Sequence, residues 1–121
     1  MPDLVRAYAE LSSQEASIAN GASLSGAVVL PPAEYLCGIS MPAAWTAANL
    51  TFQASFDGTT YYDLYDQDGT ELNITAAASR HIVLNPDNFW GFKWLKVRSG
   101  TTGTPVNQGA ARTITLLTRA L

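Results

Sequence analysis

The residues best suited to chemistry in this chain lie close together. Asp57, Asp63, Asp66, Asp68 and Glu71 follow one another with no basic residue among them, and Tyr61, Tyr62 and Tyr65 are interleaved. Clustered carboxylates can ligate a hard cation or act as general acid and base, and tyrosines beside them can stack on sugar rings. Calcium makes a spacing demand. An EF-hand loop needs acids or amides at its first, third and fifth positions, then glycine, and glutamate at the twelfth. With Gly69 as that glycine, Asp66 and Asp68 fit, but Leu64 and Thr75 take the first and twelfth positions and the pattern fails. A site of another geometry on Asp63, Asp66 and Asp68 stays open. So does the plainer reading, in which Asp57-Gly58 and Asp68-Gly69 are turns.

The other catalytic patterns fail. His81 is the only histidine and falls within an alternating, strand-like stretch. No G-x-S-x-G elbow is present, and "GTTGTP" lacks the lysine of a phosphate-binding loop. Cys37 is the only cysteine, which excludes an internal disulfide or a thiolate cluster. Its apolar setting, "EYLCGISM", marks it as a buried small hydrophobe. Carboxylates on successive hairpin turns are not held rigidly enough for glycoside hydrolysis. The expectation is a protein that is not an enzyme, with no catalytic residue, no metal ligand and no cofactor. The candidate glycan-binding residues are Tyr61, Tyr62, Tyr65 and Trp90. Trp45, Phe52, Phe56, Phe89 and Trp94 are assigned to the core, because large rings bury much apolar area. Tyr61 and Tyr62 are adjacent, so in a strand one of them faces outward.

These residues must be positioned by strands. "NLTFQASFDG" sets Leu50, Phe52, Ala54 and Phe56 against Thr51, Gln53 and Ser55, the period of a half-buried strand. "EYLCGISMP", "TTYYDLYD", "TELNITA", "RHIVLNP", "KWLKVRSG" and "ARTITLLTRAL" read as further strands, and "SIANGASLSGAVVL" as the first, stopped by Pro31-Pro32. About eight short strands with turn signals between them predict an all-β, jelly-roll-like antiparallel β-sandwich over residues 17–121. Residues 1–16 read differently: Leu4, Val5, Tyr8 and Leu11 fall near helical spacing, predicting an N-terminal arm or short helix that must dock to be stable.

The chain has 121 residues, enough for one core, and only 14% of them are charged. A net charge of −3 gives no drive toward nucleic acid. No apolar stretch approaches the roughly 20 residues that span a bilayer. "MPDLVRAYAE" lacks the apolar segment of a signal peptide, so synthesis in a cytoplasm is expected and the Asn49 and Asn73 sequons carry no meaning. After the acidic run come Arg80, Lys93, Lys96, Arg98, Arg112 and Arg119, opposed only by Asp87. This predicts either an acidic and a basic face, or acids in turns and bases on edge strands.

Four motifs carry a family resemblance: the Pro42–Trp45 connection, the Ser55–Gly58 strand end, the Lys96–Gly100 strand end, and the Val106–Gln108 loop. With them, residues 17–118 resemble small β-sandwich proteins encoded in the structural modules of tailed phages and prophages. The resemblance implies a virion component made in the host bacterial cytoplasm. Its implied role is capsid decoration or cementing on the capsid exterior, with the major capsid protein as partner and a homo-oligomer, a trimer by analogy. Leu4, Val5, Tyr8 and Leu11 would then anchor the arm on the shell or on a sister chain. The alternative is a host-glycan-binding module of a head fibre or tail component.

Overall fold

The computed structural model describes residues 11–120, and Leu4, Val5 and Tyr8 lie outside them. Eight strands form: β1 (Ser12–Ile18), β2 (Val28–Val29), β3 (Glu34–Ser40), β4 (Leu50–Ser55), β5 (Tyr62–Asp63), β6 (His81–Val83), β7 (Trp94–Ser99) and β8 (Arg112–Ala120). They make two antiparallel sheets, in the orders β1-β8-β3-β6 and β2-β7-β4-β5. β1 pairs β8, β2 pairs β7, β3 pairs β6 and β4 pairs β5. Each strand thus meets its mirror position along the chain, as if one long hairpin had been rolled up. The contacts β3–β8 and β4–β7 close the roll. This is the jelly-roll sandwich that the strand spacing predicted.

The core follows from period-two alternation. Leu50, Phe52 and Ala54 of β4 and Leu95 and Val97 of β7 face Leu36, Ile39, Ile114 and Leu116 of the other sheet, all of them buried. Phe89 joins them from a 3-10 turn at Pro86–Phe89, with its ring edge-on to Phe52 at 5.2 Å. Asn85 caps that turn by accepting from the Asp87 amide.

Five expectations change. Residues 12–16 belong to the sandwich and not to an arm or helix, because Ala16 and Ile18 alternate into the core and the strand covers the free side of β8. Leu11 precedes that strand and is about half exposed. "TELNITA" is not a ladder strand: Glu71 bridges Tyr65, and Ile74 bridges Leu50. The main chain of β4 bonds Leu64 and then Ile74, so residues 65–73 are a side excursion from the sheet. Phe56 is 78% exposed, because β4 ends at Ser55 and the chain turns there. Trp45 is only partly buried, packed against the core, and Trp94 is partly buried on the outer face of β7. Cys37 is half-buried at a β-bulge, where the register of β3 on β8 skips from Leu36 to Gly38.

Candidate functional site

The acidic run is largely consumed in holding the fold. Asp57 Oδ1 accepts from the Thr59 and Thr60 amides and from Ser55 Oγ, whose own oxygen accepts from the Gly58 amide at 2.9 Å. The Thr60 amide first, then that of Thr59, holds the Asp57 carboxyl below its usual range. Asp66 Oδ1 accepts from the Asp68 and Thr70 amides in the same manner. Gly58 takes φ +79, and a Cβ there would lie 2.9 Å from the Trp94 ring, which packs onto this turn.

Arg98, expected either on a basic face or on an edge strand, lies on the central strand β7. It does leave the core side of the sheet, yet it is 7% exposed. Its guanidinium meets Asp63 Oδ1 at 2.5 Å, Glu71 Oε2 at 3.3 Å, Thr102 Oγ1 at 2.9 Å and Thr51 Oγ1 at 3.4 Å. Thr102 Oγ1 also donates to Glu71. The Arg98 hydrogen bond, aided by its charge and opposed by burial, holds the Asp63 carboxyl below the ordinary aspartate range. Two of the five acids are therefore matched internally by one base, so the separate acidic and basic faces do not form at this point. No group of three or more His, Cys, Asp and Glu side chains able to hold a metal ion occurs among the described residues.

The predicted aromatic residues divide. Tyr61 is half-buried beneath Lys96 Nζ, 4.4 Å from its ring centroid. Tyr65 is half exposed and bridges Glu71 across the excursion hairpin. Tyr62 is 75% exposed although it pairs with core-facing Ala54, because β5 is an edge strand. Trp90 is 56% exposed and lies on Tyr35, with ring centroids 5.2 Å apart at 42°. This pair walls a cleft of about 380 Å³ at one end of the sandwich, completed by Pro31, Pro32, Glu34, Phe92 and Lys93. Ala33 also lines it, held at φ 59, a left-handed conformation that alanine rarely adopts. Glu34 is fixed by the Thr118 hydroxyl, which donates to Oε1 at 2.8 Å. A second, smaller depression of about 140 Å³ is lined by Phe56, Tyr62, Thr60, Leu64 and Phe92.

Tyr35, Phe92 and Phe56 were not singled out as site residues from sequence. Tyr35 and Trp90 are remote in the chain, and only the packing of β3 on the 3-10 turn joins them. The one sequence signal is Pro31-Pro32 three residues ahead of Tyr35.

No family model matches the chain, and no curated protein sequence matches it. Among solved structures it is similar to a carbohydrate-binding module of a family 31 glycoside hydrolase from Clostridium perfringens, with 8% identity over 89% of this chain and 93% of that one, and a TM-score of 0.47. A mitogen from Yersinia pseudotuberculosis gives 9% identity over 93% and 87%, with a TM-score of 0.42. A chitosan-binding module of a chitosanase/glucanase from a Paenibacillus species gives 16% identity over 87% and 93%, with a TM-score of 0.40. At these values the likeness is confined to the general course of a β-sandwich.

Proposed function

We propose that this protein is a non-enzymatic structural component of a tailed-phage virion, decorating or cementing the capsid. The observation that carries this reading is one hydrogen-bonded knot that joins two of the four resemblance motifs to the residue following a third. Gln108, 1% exposed, donates from Nε2 to Ser99 Oγ and to the Thr46 carbonyl, and its Oε1 accepts from the Thr46 amide at 2.8 Å. Thr46 follows the Pro42–Trp45 connection, Ser99 belongs to Lys96–Gly100, and Gln108 ends Val106–Gln108. Residues that must fit one another are a stronger basis for a family resemblance than scattered matches. Jelly rolls serve both capsids and lectins, so the fold by itself favours neither role.

In this reading the partner is the major capsid protein, the protein sits on the capsid exterior as a homo-oligomer, and Leu4, Val5, Tyr8 and Leu11 anchor it. Because β1 begins at Ser12, deleting residues 1–10 removes Leu4, Val5 and Tyr8 and leaves every described strand whole. Many weak arm contacts on one shell act together, so the deletion is expected to lower particle occupancy by about a hundredfold. Quantitative mass spectrometry of purified particles measures this. Hundreds of wild-type copies per particle are expected. A handful would mean a tail or vertex position, and unchanged occupancy of the deletion would remove the anchoring role.

A second reading, a host-glycan-binding module, is favoured by one specific feature: the cleft walled by Tyr35 and Trp90. An aromatic pair, Trp90 exposed and Tyr35 half-buried, edged by a carboxylate and an ammonium, suits the apolar face and hydroxyl rim of a sugar.

A further inference from the structure

The two depressions share a wall. Phe92 lines both the Tyr35–Trp90 cleft and the smaller hollow of Phe56 and Tyr62. The aromatic surface therefore continues from Trp90 across Phe92 to Tyr62. Trp90, Phe56 and Tyr62 are each more than half exposed, a concentration of apolar rings that a solvated surface does not favour. Polar groups edge the track: Glu34 and Lys93 at the cleft, Thr60 at the hollow. The backbone at Ala33 holds an unfavourable conformation in the cleft wall, the kind of local strain that accompanies a shaped binding surface.

We propose that this track binds an extended oligosaccharide of several pyranose rings, with one unit in the Tyr35–Trp90 cleft and others across Phe92 onto Phe56 and Tyr62. This rests on the glycan-binding reading above and names its ligand class. Pyranose rings present flat C–H faces to aromatic side chains and hydroxyls to the polar edges. One ring fills one depression, and two adjoining depressions require a chain of them. The two ionic groups are opposite in sign and lie at one end, which fits a neutral sugar chain better than a polyanion.

Isothermal titration of the whole protein with β-1,4-linked oligomers of glucose and of N-acetylglucosamine, each of two and of six rings, tests it. The six-ring form of one series is expected to bind at about millimolar or better and about tenfold more tightly than its two-ring form. Trp90→Ala and Tyr62→Ala should each cost about tenfold in that affinity, with unchanged urea midpoints because both side chains are exposed. Equal affinity for two and six rings, or loss in Trp90→Ala alone, overturns the track while leaving a single-sugar cleft. No binding by any of the four oligomers overturns both the track and the glycan reading. Neither result bears on particle occupancy.

Discussion

Arg98→Met is expected to destabilise the protein by about 3 kcal/mol, the low end of the range for breaking a buried ion pair. The loss does not come from the arginine's own attraction alone. It comes from leaving Asp63 and Glu71, with side chains 26% and 16% exposed, beside apolar neighbours and without a counterion. The low end applies because Asp63 keeps some contact with water. Urea unfolding measures it, and a change under about 1 kcal/mol would show that the cluster is solvated and of little consequence. A triple variant, Arg98→Met with Asp63→Asn and Glu71→Gln, should recover most of the loss, since no charge is then stranded. The pH dependence has a definite sign. The Asp63 pKa is lowered in the folded state, chiefly by the Arg98 hydrogen bond. Its stabilisation is therefore complete above the unfolded value of about 3.9 and is lost as pH falls through the lowered folded value. The gap between wild type and Arg98→Met should narrow below about pH 4.

Gly100→Ala is expected to cost about 3 kcal/mol or prevent folding, by strain and overpacking together. Gly100 takes φ +89, and a Cβ there would stand 2.5 Å from the Thr104 carbonyl oxygen and 2.7 Å from the Val106 nitrogen. These are backbone atoms and cannot rotate aside. They are also fixed: the Thr104 carbonyl accepts from the Thr101 amide at 3.1 Å, and the Val106 amide donates to the Ser99 carbonyl at 2.8 Å. Gly103→Ala is the matched control, with open space around its Cβ position, and should stay within about 0.5 kcal/mol. Equal thermal midpoints for the two variants would mean that the 100–105 loop yields.

Alternation made β3, β4, β7 and β8 readable, because each buries one face and the side-chain period is two. The same signal misled where burial did not follow it. Thr51 and Ser55 point away from the core yet are almost fully buried, since the 100–105 loop covers one and the Ser55 hydroxyl closes its own turn. "TELNITA" alternates but makes only isolated bridges, Glu71 to Tyr65 and Ile74 to Leu50, because β5 and Leu64 already take most of the free edge of β4. The segment from Ser12 to Ala16 looked helical by continuity with Leu4 and Tyr8. Its strand state is decided by the open edge of β8, which a local pattern does not reveal. Of the candidate site, Trp90 and Tyr62 were visible as types. Their link through Phe92, and the pairing of Trp90 with Tyr35, depend on which elements meet at the end of the roll. Arg98 could not be told from the other bases, because its burial depends on Thr102 and on an excursion hairpin that folds over it.

The register of the first sheet fixes a polarity for attachment. Ser12 faces Thr118 and Tyr35 faces Arg119 in neighbouring strands, so the start of β1 lies at the same end of the sheet as the cleft. The start of β1 and the cleft share one pole of the molecule. A shell gripped through that pole hides Trp90 and Tyr35, and a sugar chain held there competes with the shell for the same approach. The Asp57 turn lies at that pole too, because Ser55 pairs with Trp94 at the start of β7, next to Lys93 of the cleft, so whatever covers the aromatic cleft also approaches the Asp57 carboxylate.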